Sequence, residues 1–172
     1  MKRHIVLIGL PGSGKTVAGR IVAERLQAGF VDVDAIIERR EGRPIAMIFA
    51  EKGEAAFRDM ERKEMETALA SEPAVLAPGG GWAAQPGALD AAKAHALVIY
   101  LRARPETAAQ RAAPEGTRPL LLGGDPVVRM RQLQQEREPY YRSAHAQVDT
   151  ERKSPAQVAS EVVRLAQSSA GW

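Results

Sequence analysis

Eight consecutive residues, Gly9-Leu10-Pro11-Gly12-Ser13-Gly14-Lys15-Thr16, satisfy the pattern GxxxxGK[ST] in full. Glycines at this spacing let the backbone turn so that successive N–H groups point into one concavity, a nest for anionic oxygens. A lysine there places a charge against the β- and γ-phosphates of a nucleotide, and a threonine hydroxyl is a ligand for Mg²⁺. The chemistry implied is binding and transfer of a phosphoryl group. A ligand-free glycine-rich turn would have a similar composition, but it has no reason to sit between a buried strand and a helix.

Other residue types suited to such chemistry are dispersed along the chain. Asp32 and Asp34 lie just after a second apolar run, where a carboxylate can take a proton or hold a metal through water; an Asx turn is the plainer reading. Arg58 and Arg137 are planar forks suited to a carboxylate. On spacing alone, Arg58 reads equally as the ion-pair partner of Glu54 and Glu61 on one helical face. Gly79-Gly80-Gly81 offers bare backbone that a ligand can approach. His4, His95 and His145 share no spacing and read as structural or solvated.

The elements that must position these groups alternate. The run His4-Ile5-Val6-Leu7-Ile8 predicts a strand covered on both faces, and apolar spacing predicts a helix over residues 14–27. A strand is expected over 30–33, with Asp34 at its end, then helices over 35–40, 44–50 and 54–70 and a strand over 74–77. A helix over 87–94, a strand over 97–101 and a helix over 105–112 follow. Residues 113–126 lack helical periodicity and carry three prolines and three glycines, the pattern of a functional loop such as a lid. Helical composition over 127–138 is expected to stop at Pro139, before a strand over 146–149. Ser154 and Pro155 open a last helix to about 167, leaving 168–172 as a frayed tail. The order of elements predicts an α/β sandwich in a single domain spanning 1–172.

Composition narrows the class. Apolar residues at 45% and charged residues at 26% are those of an ordinary globular chain, and no apolar run nears the ~20 residues needed to cross a bilayer. With no cysteine, disulfides and thiolate chemistry are excluded. The net charge of +3 is spread among acids and aromatics are 5%, so no nucleic-acid surface is expected. A cytoplasmic monomer that binds small molecules is the expectation.

Taken together, the motifs resemble the shikimate kinase family over nearly the whole chain. After the phosphate-binding loop come Asp32-Val33-Asp34, residues 45–49 (IAMIF), Gly53-Glu54-Ala55-Ala56-Phe57-Arg58, the glycine triplet, Arg118-Pro119-Leu120-Leu121, and Arg137 followed by Tyr140 and Tyr141. The resemblance implies a three-layer P-loop fold with a five-stranded parallel sheet ordered 2-3-1-4-5. It implies ATP and Mg²⁺ as cofactors and shikimate as the acceptor, phosphorylated at its 3-hydroxyl.

It also implies roles for individual residues. Gly12, Ser13, Gly14, Lys15, Thr16 and Val17 would hold the nucleotide, with Arg111, Arg118, Arg152 and Pro155 beside it. Thr16 and Asp32 would hold the metal. Asp34, Phe49, Phe57, Arg58, Gly79, Gly80, Gly81 and Arg137 would hold the acceptor, within a segment over about 34–61 and on the glycine turn. Lys15, Asp34 and Arg118 would act in transfer.

Pro78 and Trp82 depart from the family pattern. They motivate one other reading, a kinase of another polyol acid such as gluconate; a nucleotide-binding interaction protein that kept the phosphate-binding loop but lost turnover is a separate alternative.

Overall fold

A computed structural model describes residues 1–112 and 124–172. Five strands, β1 (His4–Ile8), β2 (Gly29–Asp32), β3 (Ala74–Ala77), β4 (Ala96–Arg102) and β5 (Ala146–Asp149), form one parallel sheet in the order β2-β3-β1-β4-β5. Every residue of β1 is buried, as a central parallel strand requires. Period-two alternation divides its side chains between two cores. Ile5 and Leu7 pack with the helix α1 (Lys15–Leu26) and the C-terminal helix α7 (Pro155–Ser169). Val6 and Ile8 join the opposite core, which α2 (Val33–Glu41), α3 (Ile45–Leu69), α4 (Ala88–Lys93), α5 (Pro105–Ala112) and α6 (Pro126–Tyr141) cover. The expected three-layer arrangement and strand order are both present.

Several boundaries differ from the expectation, each for a local reason. The second strand stops at Asp32, because the Asp32 carboxylate accepts the Ala35 N–H at 3.2 Å and caps α2. Val33 and Asp34 are therefore helical, and Asp34 occupies the first turn rather than the strand end. The two helices expected on either side of Gly53 abut in one span, α3, interrupted where Gly53 takes φ 85° and ψ 167°.

Pro139 does not stop α6, which continues to Tyr141; the Arg142 N–H still reaches the Glu138 carbonyl at 2.9 Å. Residues 113–123 of the expected lid, with Arg118 among them, lie outside the described residues. Its last position, Pro126, is instead the first of α6, capped by Asp125.

The C-terminus is docked rather than frayed. α7 runs to Ser169, Arg3 N–H donates to the Ala170 carbonyl at 2.9 Å, and Trp172 Nε1 donates to the Arg3 carbonyl at 2.8 Å. The Lys2 ammonium stands 4.6 Å from the centre of the Trp172 ring. His4 also serves structure, accepting the Ala74 N–H at Nδ1 and meeting the Leu69 carbonyl through Nε2. No described helix is long and apolar enough to cross a membrane.

Candidate active site

Strand order gathers the candidate residues. β2, β3 and β1 lie side by side, so Asp32, the glycine turn after Ala77 and the loop after Ile8 emerge at one edge of the sheet. A methyl group placed on Gly80 would lie 3.0 Å from the Gly9 carbonyl oxygen and 3.1 Å from Pro11 Cδ. The glycine turn and the phosphate-binding loop are thus in contact.

The loop from Gly9 to Gly14 wraps toward the N-terminus of α1, with Gly14 in the left-handed region at φ 95°. No side chain caps this helix end, so its first N–H groups and positive dipole end are available to an anion. Lys15 lies back across the loop and donates to the Gly9 and Leu10 carbonyls at 2.8 and 2.9 Å. Thr16 Oγ1 donates to Asp32 Oδ2 at 3.2 Å. A hydroxyl and a carboxylate meeting at the foot of the nest form an all-oxygen pair, the donor type that suits a hard cation.

A cavity of about 290 Å³ extends from this loop, lined by the whole run Gly12 to Ala18 together with Arg111, Pro155 and Val158. Thr150 and Lys153 line it as well; Thr150 did not stand out in the sequence, whereas Lys153 falls within the stretch 152–155 that the resemblance sets beside the nucleotide. Arg152 does not line it. That residue takes φ 58° on the exposed outer side of the loop after β5. The same loop is fastened to the start of α5, because Glu151 accepts the Arg104 N–H at 2.8 Å and the Thr107 hydroxyl at 3.1 Å. Arg111, seven residues along from Arg104 and at the far end of α5, borders the same cavity from the other side.

A second cluster surrounds the glycine turn. A methyl on Gly79 would meet Glu61 Oε2 at 2.5 Å and Asp34 Oδ1 at 3.1 Å. On Gly80 it would stand 2.9 Å from Arg137 Nη1, and on Gly81 it would strike the Arg58 guanidinium. Four charged side chains converge on the three successive glycines, so a side chain at any of them would have to displace a carboxylate or a guanidinium. Asp34, Arg58 and Arg137, far apart in sequence, are brought together as expected.

Glu61 is the member that sequence reading left as a surface partner. Its side chain has no exposed surface, and it accepts from Arg58 Nη1 at 3.0 Å, while Glu54 accepts from Nη2 at 3.4 Å. Both readings of Arg58 therefore hold at once: it is ion-paired along its helix and it faces the turn. Burial raises the Glu61 carboxyl from the usual carboxylate range to about 7; Arg58 opposes this shift and neighbouring Asp34 adds to it.

Arg58 Nε, Glu61 Oε2 and Arg137 Nη1 are buried and have no hydrogen-bond partner among the described residues. Buried polar atoms left in this way mark a place where a polar ligand completes the bonding. The set contains both donors and an acceptor, which fits a ligand bearing a carboxylate and hydroxyls. Phe57 is buried, Phe49 half-buried, and their ring centres are 4.9 Å apart beside this cluster. Trp82 is 3% exposed and packs into the core shared with Phe57 and Tyr141, so it anchors the turn from beneath.

The chain can therefore hold a polyphosphate on one side of the glycine turn and a small anionic polyol on the other. Comparisons with known proteins identify the family. A curated shikimate kinase of Symbiobacterium thermophilum is 42% identical over 167 residues, covering 95% of this chain and 96% of that protein. One of Mycobacterium avium is 45% identical over 164 residues, covering 95% and 93%. The solved shikimate kinase from Acinetobacter baumannii in complex with shikimate superposes with a TM-score of 0.93 at 34% identity, covering 98% of this chain and 94% of that one. The family model described as shikimate kinase matches residues 11–167, and with these relatives it shows that the chain belongs to the shikimate kinase family.

Proposed function

We propose that this chain transfers the γ-phosphoryl group of ATP to the 3-hydroxyl of shikimate, releasing ADP and shikimate 3-phosphate. The observation that carries the reading is the convergence of Asp34, Arg58, Glu61 and Arg137 on a glycine turn that touches the phosphate-binding loop. A carboxylate-bearing acceptor and a triphosphate would then lie on adjoining backbone. The relatives' names supply the acceptor's identity.

In the transfer, the acceptor oxygen bonds to the γ-phosphorus as the bond from that phosphorus to the β–γ bridging oxygen breaks. Lys15 exchanges its two loop carbonyls for phosphate oxygens and follows the charge that moves onto the leaving ADP. Asp34 orients the attacking hydroxyl and takes its proton. Arg58 and Arg137 grip the acceptor carboxylate as forks, with Glu61 holding Arg58 in place. Thr16 and, through water, Asp32 are the residues that would hold Mg²⁺, which would supply positive charge to the phosphates when bound. Arg118 is assigned to the transferring group on its motif alone. The enzyme is proposed to act as a cytoplasmic monomer with one domain.

A coupled ADP-release assay offering shikimate and gluconate separately tests the acceptor. Turnover of shikimate with the higher kcat/KM is expected. Preference for gluconate would overturn the reading, and ATP binding with no transfer to either acid would favour the interaction-protein alternative.

A further inference from the structure

Tyr141 is fully buried on α6, one helical turn beyond Arg137 and on the same face of the helix. Its hydroxyl donates to the Gly80 carbonyl oxygen at 2.6 Å, across 61 residues of sequence. A methyl group on Gly80 would meet Arg137 Nη1 first, at 2.9 Å, and then the Gly9 carbonyl oxygen and Pro11. One helix therefore delivers a guanidinium and a phenol to a single glycine: Arg137 Nη1 is buried without a hydrogen-bond partner, and the phenol, which also lies against the Arg137 guanidinium, donates to the glycine carbonyl.

The phenol is itself fixed. Its ring lies 5.0 Å from that of Tyr100 on β4, tilted by 34°, and Tyr100 donates to Glu138 Oε2 at 2.7 Å, adjacent to Arg137 on α6. Glu138 is held in addition by Arg142 at 3.1 Å. The chain of contacts runs from the sheet through Tyr100 and Glu138 to α6, then through Tyr141 to the turn. Nothing in it touches the nucleotide cavity.

From this geometry we infer that Tyr141 is a positioning residue for the acceptor: its hydroxyl locks the Gly80 peptide at a set distance from the Arg137 fork. A purely packing role would need only the ring. The hydroxyl bond has the effect of fixing the rotation of one peptide, and that peptide faces the acceptor cluster. Losing it lets the turn and the fork move relative to each other, which weakens acceptor binding and leaves nucleotide binding intact. This inference rests on the proposed acceptor reading.

The test is Tyr141→Phe, which deletes one oxygen and keeps the ring. The expected result is a KM for shikimate raised about tenfold, the net value of one well-placed hydrogen bond, with the KM for ATP within about twofold of wild type. An unchanged shikimate KM, or equal rises in both KM values, would overturn the inference while wild-type turnover of shikimate left the acceptor reading standing. A wild-type protein inactive on shikimate would remove both.

Should the variant not fold, 3-fluorotyrosine placed at position 141 of the otherwise native chain gives a second readout by fluorine NMR. Its resonance is expected to shift on adding shikimate and not on adding ADP. A resonance that ignores shikimate, or moves as far with ADP, would overturn the inference.

Discussion

Arg58 donates to Glu61 at 3.0 Å within a site where the carboxylate has no exposed surface. An ion pair so placed is dominated by what burial costs the anion, and the Glu61 carboxyl accordingly sits at about 7 rather than near 4.5. Between those two values the folded chain holds a proton that the unfolded chain has released. Stability from this group is therefore full below about pH 4.5 and declines as pH rises through 7.

Across that window the loss is about 3 kcal/mol. Asp59 and Glu106 do not contribute there, since Lys63 and Arg131 respectively hold them below the usual carboxylate range. Urea unfolding at pH 5 and pH 8 should show the decline in the wild-type chain. Glu61→Gln should flatten it, and an equally steep decline in that variant would assign the effect elsewhere.

Lys15 lies on the phosphate-binding loop and the Arg58 guanidinium at Gly81, so under the proposed function their variants should fail differently. Lys15→Met is expected to lower kcat by about 10³ or more, because Lys15 is the loop's own cation and its ammonium already lies across the loop carbonyls of Gly9 and Leu10. Arg58→Ala should raise the shikimate KM about 10- to 100-fold with little change in the ATP KM. Steady-state kinetics with each substrate varied in turn separates the two. Matching losses of ATP binding would refute the division.

Gly80→Ala brings a methyl group within 2.9 Å of Arg137 Nη1 and 3.0 Å of the Gly9 carbonyl. The guanidinium can retreat, whereas the backbone of the phosphate-binding loop cannot without disturbing the nest. Both KM values are therefore expected to rise, the shikimate value more. Calorimetric binding of ADP alone, weakened several-fold relative to wild type, would report the loop component (roughly 1 kcal/mol).

At the far end of the molecule, Trp172→Ala removes a 2.8 Å bond to the Arg3 carbonyl and the contact with Lys2. A cost of about 1–2 kcal/mol, or a melting point lower by about 2–6 °C, is expected. Both KM values should stay at wild-type levels, because nothing in this contact reaches the site. A kinetic change in this variant would show that the termini communicate with the turn.

Much of the nucleotide side was legible in sequence because its determinants are local. Gly9 to Thr16 is one continuous motif between a strand and a helix, and Thr16 needed only the next strand to meet Asp32. Arg58 and Arg137 were legible through family resemblance, since no local pattern says that they converge. Glu61 was underrated for a definite reason: i to i+3 spacing from Arg58 gives a shared helical face, but whether that face is covered depends on Gly79, eighteen residues away.

The docked tail was missed likewise, because the partner of Trp172 is Arg3 at the other end of the chain. Pro139 was read by its missing N–H alone, whereas contacts on either side of it, from Glu138 to Tyr100 and from Tyr141 to Gly80, keep the helix going. Thr150 gave no signal, being neither motif nor periodic.

In an unbroken helix, Phe49 and Phe57 would stand about 12 Å apart along the axis, eight residues at 1.5 Å each. Their ring centres are 4.9 Å apart. The difference is the work of Gly53, whose backbone takes a conformation that side-chain-bearing L-residues avoid, although the space beside it is open. The aromatic pair is thus a built-in protractor for α3: it exists only while the helix is kinked at Gly53, and any substitution that straightened residue 53 would be read out as the parting of two rings. Handedness at one position without a side chain sets the angle between the two halves of α3, and with it the direction from which Arg58 approaches the turn.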